Sequence, residues 1–359
     1  MKSRKLLLSL AVFFLVGAFA SAKASPIAIA EGEEVTDSTL TGWHQIGPNN
    51  VAGRVRTIMF DKFNDGVIYA CSPTGGLFIS VNDGNNWQAV SLGEGANSSY
   101  VATSIAQDDN GIIYVGTGEG SYSEAEAGKK HFKTGLLGNG VYKSSEFDKN
   151  WAANLQTDEE KYQFVAENIS FTQMEGTVPD KYDIGGEWIY INDMAFVGGK
   201  LFVATKNAGL KVYSNGSWET ATINNNTMVN VTDIKVSANG KVAVAYVLDN
   251  DAAVAIANDI ETSNTFTNSL TKDKIGLSQD DIIVKIELSF SLTTDKLYAL
   301  VNYYKATGNG YYSNEAIYRQ IENSWEAATS GSLYIGTSEG MSIAINDRDE
   351  EFIYAGGSS

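Results

Sequence analysis

Residues 75–87 read Gly75-Gly-Leu-Phe-Ile-Ser80-Val-Asn-Asp-Gly-Asn-Asn-Trp87, a short apolar run followed by a turn of small polar residues and an indole. Two further apolar runs precede it, Thr57-Ile-Met-Phe-Asp61 and Val67-Ile-Tyr-Ala-Cys71, and a polar turn separates them. Short β-branched and aromatic runs bounded by Gly, Asn, Asp and Ser are typical of β-strands joined by tight turns. The stretch therefore predicts one unit of four short strands, the last beginning near Trp87.

This unit recurs along the chain at intervals of roughly 40 to 60 residues, a period typical of repeat proteins. Its second run returns as Ile112-Ile-Tyr-Val-Gly116, Lys200-Leu-Phe-Val-Ala204, Lys241-Val-Ala-Val-Ala245, Lys296-Leu-Tyr-Ala-Leu300 and Phe352-Ile-Tyr-Ala-Gly356. A single four-stranded sheet cannot bury both of its faces, so the copies must stack on one another. The sequence therefore predicts an all-β fold, a β-propeller of four-stranded antiparallel blades. We expect about six blades, or seven or eight if the natural chain continues.

The tryptophans support this interpretation. Five of the six fall where the fourth strand of a blade should start: Trp43, Trp87, Trp151, Trp218 and Trp325. Trp43 precedes the first complete unit, so we expect it to supply the outer strand of the last blade. The last copy lacks a third strand. We therefore expect the propeller to span residues 42–359, with either an incomplete C-terminus or an irregular closure.

The N-terminus predicts export. A basic start, an apolar run over residues 6–20 and the small residues around Ala24 are typical of a secretory signal peptide. The run is short for a bilayer span, which needs about 20 apolar residues. We expect a signal peptide over 1–24, with Ala20 and Ala22 as alternative cleavage positions, and a flexible linker over 25–41. The mature protein would be secreted or held in the bacterial cell envelope, with no membrane span.

Charge and cysteine content exclude other classes. The chain has 43 acidic and 26 basic residues, a formal net charge of −17 at pH 7. Such a surface repels phosphate backbones, so nucleic acid is not an expected partner. The single cysteine, Cys71, excludes an intramolecular disulfide and a Cys-rich zinc site, and its place in an apolar run predicts a buried structural residue.

Residues 80–87 resemble the Asp-box (BNR) motif, Ser-x-Asp-x-Gly-x-Thr-Trp, with Asn82 replacing the acid and Asn86 the threonine. Residues 144–151 are a weaker match. Sialidases, the sortilin ectodomain, xyloglucanases and plant photosystem assembly factors share this propeller family. The resemblance implies that the motif is structural, capping the turn between the third and fourth strands on the face opposite the usual ligand site. The residues to which it gives this structural role are Ser80, Asn82, Gly84, Trp87, Ser144 and Trp151.

The residues argue against the two enzymatic activities that the resemblance raises. Sialidases need three arginines around the substrate carboxylate, but beyond the signal peptide this chain has only Arg54, Arg56, Arg319 and Arg348. Xyloglucanases carry an acid just before the Gly-Gly of the first blade, where this chain has Pro73. We therefore assign no catalytic residue and predict a non-catalytic binding protein. A glycoside hydrolase or lyase with unidentified carboxylates is the alternative.

Three long connections, over residues 119–139, 152–190 and 302–313, predict the ligand site. They map to loops that join second to third and fourth to first strands, which form the usual ligand face of a propeller. Their amphipathic aromatic side chains suit a glycan or an extracellular or envelope protein. The candidate ligand residues are Tyr122, Lys129, Lys130, His131, Trp188, Tyr303, Tyr304, Tyr311 and Tyr312.

Ca²⁺ is the only cofactor that the sequence suggests. Carboxylate clusters favour this ion, although none here has the EF-hand spacing and solvated turns are the competing interpretation. The clusters are Asp249/Asp251, Asp280/Asp281 and Asp347/Asp349/Glu350.

Cleavage after Ala24 predicts a mature N-terminus of Ser25-Pro-Ile-Ala-Ile29. N-terminal sequencing of the protein recovered from envelope and medium fractions should return that sequence. Recovery of a chain that still begins at Met1 would contradict the predicted export.

Overall fold

The structure is a computed structural model that describes residues 54–93, 99–120, 135–180, 185–248, 251–257, 259–308, 310–329, 333, 337–346, 349 and 352–358. The predicted signal peptide, the linker and Trp43 lie outside these residues. Within them the chain is almost entirely β-structure arranged in six sheets.

Three sheets form the first half of the described chain. The first contains β1 (Thr57–Phe60), β2 (Ile68–Ser72), β3 (Gly76–Ser80) and β4 (Gln88–Val90). The second contains β5 (Ala102–Gln107), β6 (Ile113–Thr117), β7 (Val141–Ser144) and β8 (Phe171–Gln173). The third contains β9 (Ile191–Val197), β10 (Lys200–Thr205), β11 (Leu210–Ser214) and β12 (Ser217–Thr220).

The second half repeats the plan. A two-residue strand, β13 (Thr222–Ile223), leads into β14 (Asn230–Val236), β15 (Val242–Leu248), β16 (Asp251–Ala257) and β17 (Thr265–Leu270). The fifth sheet contains β18 (Ile282–Phe290), β19 (Leu297–Thr307), β20 (Gly310–Ile321) and β21 (Ser324–Ala327). In the described residues the sixth sheet has two strands, β22 (Thr337–Ile345) and β23 (Ile353–Ser358).

The sheets are the blades of a β-propeller, as predicted. Five of them contain a four-stranded antiparallel meander in chain order, and β13 adds to the outer strand β17 in parallel. The first strands of successive blades pack side by side around an axis: β1 on β5, β5 on β9, β9 on β14, β14 on β18 and β18 on β22. Among the described residues, the second to fifth blades therefore each pack between two neighbouring blades.

The core lies between the blades. The second strands are buried along their whole length in the first two blades, and Cys71 is fully buried in β2. Burial raises the pKa of its thiol, which keeps it protonated and unreactive. Between the third and fourth blades, Phe202 meets Phe266 edge to face with 6.3 Å between ring centroids. Phe266 lies in β17, the fourth strand of its blade, where the other blades were expected to carry tryptophan.

The two ends of the propeller carry different connections. We call one end the loop face; it holds the connections from second to third strands and between blades, with described residues 73–75, 91–93, 99–101, 118–120, 135–140, 174–180, 185–190, 206–209, 221–229, 271–281, 308, 328–329 and 333. The opposite end is the turn face, with described residues 61–67, 81–87, 108–112, 145–170, 198–199, 215–216, 237–241, 259–264, 291–296, 322–323, 346, 349 and 352.

The turn at residues 80–87 lies on the turn face and is held by its own side chains. Ser80 Oγ accepts the N–H of Gly84 at 2.9 Å, and Asn82 Oδ1 accepts the N–H of Asn86 at 2.9 Å. The buried indole of Trp87 donates to the carbonyl of Gly84 at 3.0 Å. These bonds satisfy main-chain groups that the sharp turn leaves without ladder partners.

The second blade departs from the prediction at Trp151. This residue begins a 3-10 helix, Trp151–Asn154, and the fourth strand of the blade is β8, twenty residues later. An α-helix, α1 (Asp158–Asn168), fills the gap and begins with a capping box between Thr157 and Glu160. Residues 145–170 therefore lie on the turn face, and only the remainder of the predicted 152–190 connection reaches the loop face.

Helix α1 joins the first two blades. The ring of Trp151 stacks on Phe164 at 5.0 Å. From the same helix, Tyr162 donates to the carbonyl of Asn86 at 2.8 Å, and Asp158 accepts from the Asn82 amide at 2.7 Å. Both bonds reach the 80–87 turn of the first blade. Among the described residues no helix is long and apolar enough to cross a bilayer.

Two glycines with left-handed backbone provide a test of blade packing. Gly209 has φ +75°, and an added Cβ would lie 2.0 Å from the carbonyl oxygen of Thr227; Gly216 has φ +82° and nothing within 4 Å. We expect Gly216→Ala to cost about 1 kcal/mol of unfolding free energy through backbone strain alone. Gly209→Ala should cost about 2 kcal/mol more because of the added clash. Denaturant unfolding of both variants measures the difference, and equal losses would contradict the packing described here.

Candidate functional site

One position of the first strand recurs at the centre of every blade. It is the residue opposite the fifth residue of the repeated second-strand run, so Thr57 pairs with Cys71 and Asp193 with Ala204. We call it the axial position, and its members are Thr57, Ser104, Asp193, Asp233, Glu287 and Ser342. All are polar and three are acidic, although they lie in otherwise apolar strands.

Two axial carboxylates share one ammonium group. Lys235 Nζ lies 2.6 Å from Asp193 Oδ2 and also contacts Asp233 Oδ1. The Asp233 side chain is almost completely buried, at 3% exposure, whereas the Lys235 side chain is 37% exposed. Lysine therefore stands between the carboxyl pair and solvent.

The same carboxylates hold the next blade. Asp233 Oδ2 accepts the N–H of Leu288 at 2.7 Å, and Asp193 Oδ2 accepts the N–H of Ile234 at a longer 3.4 Å. Leu288 follows the axial residue of its own blade, and so does Ile234. Two of the three axial acids, Asp193 and Asp233, thus bond the main chain of the neighbouring first strand. Such bonds supply partners to strand edges that have none in their own sheet.

The two carboxyls titrate in opposite directions. Burial raises the pKa of Asp233 well above its usual value, and the charges of Glu287 and Asp193 reinforce this shift against the attraction of Lys235. Burial also opposes ionisation of Asp193, but the charge of Lys235 and the hydrogen bonds from neighbouring groups outweigh it and lower the pKa of Asp193. The two carboxyls therefore differ in how readily they ionise, although both contact the same ammonium group.

A second ion pair lies in the fifth blade. Lys285 is fully buried, and its Nζ is 2.6 Å from Oε1 of Glu287. Burial lowers the pKa of Lys285, and the nearby Arg56 acts in the same direction against the attraction of Glu287. Lys285 therefore loses its proton more readily than an exposed lysine does.

Two arginines complete the set at the loop-face end of β1. Arg54 contacts Glu119 directly, and Arg56 Nε lies 3.9 Å from the same carboxylate. Glu119 is fixed in turn by paired main-chain bonds to Leu136. We call the eight groups the axial charge cluster: Arg54, Arg56, Lys235, Lys285, Glu119, Asp193, Asp233 and Glu287. Its four cations formally match its four acids, within a chain of net charge −17.

The cluster contains the carboxyl groups that an acid–base site needs, but a substrate could not reach them. Glycosidases place two carboxyls about 5 to 10 Å apart on either side of a substrate. Asp193 and Asp233 are close enough to share an ammonium, but every oxygen that would meet a substrate is already bonded to Lys235 or to main chain. The cluster therefore joins neighbouring blades. The sequence does not predict it, because a single charged residue in an apolar strand shows neither the strand register nor the residue with which it pairs.

The structure distributes the predicted ligand residues unevenly. Tyr122, Lys129, Lys130 and His131 lie outside the described residues. Trp188 is buried, packs edge to face on Trp218 at 4.7 Å and lies under the ammonium of Lys211. It therefore belongs to the packing between the second and third blades and is not offered to a ligand.

The tyrosine-rich segment 302–313 is a strand pair and not the predicted loop. Strands β19 and β20 continue through it to a tight turn, with Tyr304 opposite Ser313 and Lys305 opposite Tyr312. Because side chains alternate along strands, Tyr303 and Tyr312 share one face of this hairpin, and Tyr304 and Tyr311 share the other. Tyr303 and Tyr304 are half-buried, while Tyr311 and Tyr312 are 47% and 59% exposed.

Exposed apolar side chains concentrate on the loop face. Eleven large apolar residues are exposed in the described part of the chain, and seven lie on this face or at the tip of the β19–β20 hairpin. The seven are Tyr100, Leu136, Leu137, Val178, Met228, Tyr311 and Tyr312. Of these seven, the sequence predicts only Tyr311 and Tyr312, since scattered aliphatic residues in polar loops have no periodic pattern.

A lysine occupies the place where the sequence suggested calcium. Lys272 Nζ lies 3.0 Å from Asp251 Oδ2 and donates to the carbonyl of Asp281 at 3.3 Å. The Asp281 carboxylate accepts main-chain N–H groups of Ser278 and Ala306, both at 2.8 Å. The described residues contain no group of three or more His, Cys, Asp or Glu arranged for a metal ion. Asp249, Asp347 and Glu350 lie outside them.

The comparisons agree on the fold. Over 85% of its length the chain superposes on an ancestral GH74 enzyme and on a GH74 enzyme from Niastella koreensis, each with a TM-score of 0.51 and with 16% and 12% identity. It spans only 35% and 46% of the lengths of those enzymes. A structure described as YCF48 bound to D1 peptide matches with TM-score 0.46 and 9% identity, over 85% of this chain and 76% of that one. Identities this low show a shared β-propeller fold alone.

No family model matches the sequence. A search of curated proteins likewise finds no match.

Lys235→Met tests the shared ammonium. Without it, two carboxylates face each other in a buried site, and we expect a loss of about 2 kcal/mol of unfolding free energy at pH 7. This is less than for a fully buried pair, since Lys235 reaches water. Burial already raises the pKa of Asp233 in the parent protein, and without the attraction of Lys235 this pKa rises further in the variant. The loss of stability should therefore shrink as the pH falls from 7 towards about 5.

The double variant Lys235→Met/Asp233→Asn is the control for this experiment. Removing one of the two facing charges should restore most of the stability at pH 7, as a double-mutant cycle measures. A loss that is independent of pH, or that the second substitution does not relieve, would contradict the shared-ammonium arrangement.

Proposed function

We propose that this protein is an exported, non-catalytic propeller that binds a protein partner through its loop face. The observation that carries the proposal is the clustering of exposed apolar side chains on that face. Single exposed apolar residues are normal on any protein, but their concentration at one end marks an interaction surface. Export is supported by the tripartite N-terminal sequence over residues 1–24.

The chemistry of the exposed set favours protein over glycan. Sugars stack on the flat faces of aromatic rings, but four of the seven exposed residues are aliphatic: Leu136, Leu137, Val178 and Met228. Aliphatic side chains gain most by packing on another apolar surface. The two tyrosines at the tip of the β19–β20 hairpin add rigid, amphipathic contacts of the kind that anchor protein interfaces.

The Asp-box assignment forms part of this proposal. The hydrogen bonds of Ser80, Asn82 and Trp87 support a capping role for the turn at 80–87, which lies at the opposite end from the proposed interface. The side chains that build this turn are therefore not available to a loop-face partner. A ligand would meet the propeller at the end opposite this turn.

Glycoside hydrolysis is the second candidate, because the fold neighbours include GH74 enzymes and two carboxyls lie close together at Asp193 and Asp233. Burial of Asp233 behind Lys235 argues against it. The discriminating variant is Asp193→Asn. If the purified protein cleaves a β-glucan and this variant does not, the second candidate replaces the first.

A pair of equally exposed aromatic positions tests the proposed interface. Tyr312 is 59% exposed at the loop-face end of the hairpin, and Phe352 is 62% exposed on the turn face. A photo-crosslinking phenylalanine placed at position 312 in cells should capture a discrete protein, and the same group at position 352 should not. Equal capture from both positions, or capture from neither, would overturn the proposal.

Tyr311→Ser in the crosslinking background measures the contribution of the hairpin. Loss of an anchoring aromatic should reduce the crosslinked product, corresponding to a fall in affinity of about tenfold, with little change in stability because the side chain is exposed. Binding of the purified protein to a glycan array, with no crosslinked protein in cells, would instead favour a glycan ligand on the same face.

A further inference from the structure

A polar cavity opens on the outer wall of the propeller between the fourth and fifth blades. It has a volume of about 340 Å³ and lies between the outer strand β17 and the turn joining β20 to β21. Its lining combines two lysines with amides and hydroxyls: Lys241, Lys274, Asn268, Ser269, Gln320 and Asn323. This volume is at the lower end of small-molecule sites.

Hydrogen bonds hold the wall of the cavity in place. The Gln320 amide donates to Ser269 Oγ at 3.1 Å, and the indole of Trp325 donates to the same hydroxyl at 3.1 Å. Ser269 is in β17, whereas Gln320 and Trp325 belong to the fifth blade. The two blades are therefore joined at the cavity, and its shape does not depend on a loose surface loop.

The two ammonium groups are positioned and keep donors to spare. Lys241 Nζ donates to Gln320 Oε1 at 3.2 Å, and Lys274 Nζ donates to the carbonyl of Ser269 at 2.9 Å. An ammonium has three N–H donors, so each lysine retains donors for a ligand. Asn268 adds more, because its carbonyl oxygen accepts from Tyr246 and its amide N–H groups are left for other partners.

The charge of the cavity is opposite to that of the chain. Two lysines and one acid, Glu322, line it, while the whole chain has a net charge of −17. A donor-rich, locally positive site selects a ligand with a carboxylate, and the flanking amides and hydroxyls suit a ligand with several hydroxyl groups. A hexose bearing a carboxylate combines both features.

We propose that this cavity is a binding site for a uronic acid residue, separate from the loop-face interface. The carboxylate lies between the Lys241 and Lys274 ammonium groups, and the sugar hydroxyls meet the amides of Asn268 and Asn323. Lys274 belongs to a loop-face connection, but the rest of the lining lies on β16, β17, β20 and turn-face connections, and none of the seven exposed apolar residues of the loop face contributes to it. Failure of either proposal leaves the other standing.

Titration of the full exported chain with galacturonate and glucuronate at low ionic strength, followed by saturation-transfer NMR, tests the site. Galactose, glucose and inorganic sulfate are the comparison ligands. We expect saturable binding of a uronate, at least tenfold weaker binding of the neutral sugars and of sulfate, and weakening with added salt. Sulfate binding as well as the uronates, or no saturable uronate binding, would overturn the proposal.

Charge-removing variants locate the site. Lys274→Met and Lys241→Met keep the aliphatic stem and should each weaken uronate binding about tenfold, the size expected for a lost charged hydrogen bond. Lys161→Met, on helix α1 of the turn face, is the matched control and should bind as the parent does. Lys274 is exposed, so its variant remains informative if Lys241→Met folds poorly. Unchanged affinity in both cavity variants would rule this cavity out.

Discussion

The placement of successive blades depends on hydrogen bonds from first-strand side chains to the main chain of the next blade, which three of the axial residues make: Thr57, Asp193 and Asp233. The first strand of each blade has no neighbour of its own sheet on the inner side, so its main-chain groups would face the axis unpaired. Axial side chains supply partners for some of these main-chain groups. Thr57 donates to the carbonyl of Thr103 at 2.8 Å, and Asp233 accepts the N–H of Leu288 at 2.7 Å. Apolar packing between sheets supplies most of the stabilisation, while these bonds fix how each sheet is placed against the next.

The apolar packing between sheets could be predicted from the sequence, whereas the hydrogen bonds between blades could not. The second-strand runs revealed the blades because they are buried on both faces and are therefore continuously apolar. Trp218 and Trp325 lie in fourth strands as expected, but Trp151 begins a helical insertion whose polar sequence gives no strand or amphipathic pattern. The axial acids could not be predicted, because only the register of strand pairing places them at equivalent positions near the axis. A single sequence does not give that register. Residues 302–313 were predicted as a loop, because their polar residues interrupt the alternation of apolar and polar side chains that is typical of a strand. The structure shows them in a hairpin that extends beyond the core.

The described surface divides into regions with different chemistry. The axis holds formally balanced charges, much of them bonded to one another, and so offers little to a ligand. The loop face gathers exposed apolar side chains, whereas the outer wall between the fourth and fifth blades carries a lysine-lined cavity. In our proposals, ligands bind at the periphery, whereas the charges at the centre hold the blades together. This division is common in folds that serve many functions, because function depends on sites added to a shared scaffold.

Helix α1 has a consequence for how the chain is built. It emerges from the second blade, rests on the 80–87 turn of the first, and shares one continuous apolar core with both, which includes Tyr69, Trp151 and Val165. In a solenoid or propeller the apolar face of each repeat is ordinarily buried only when the next repeat packs on it. Here helix α1 covers the leading pair of blades, so a chain synthesised from its N-terminus would already contain a packed pair of blades on which the later sheets assemble one at a time.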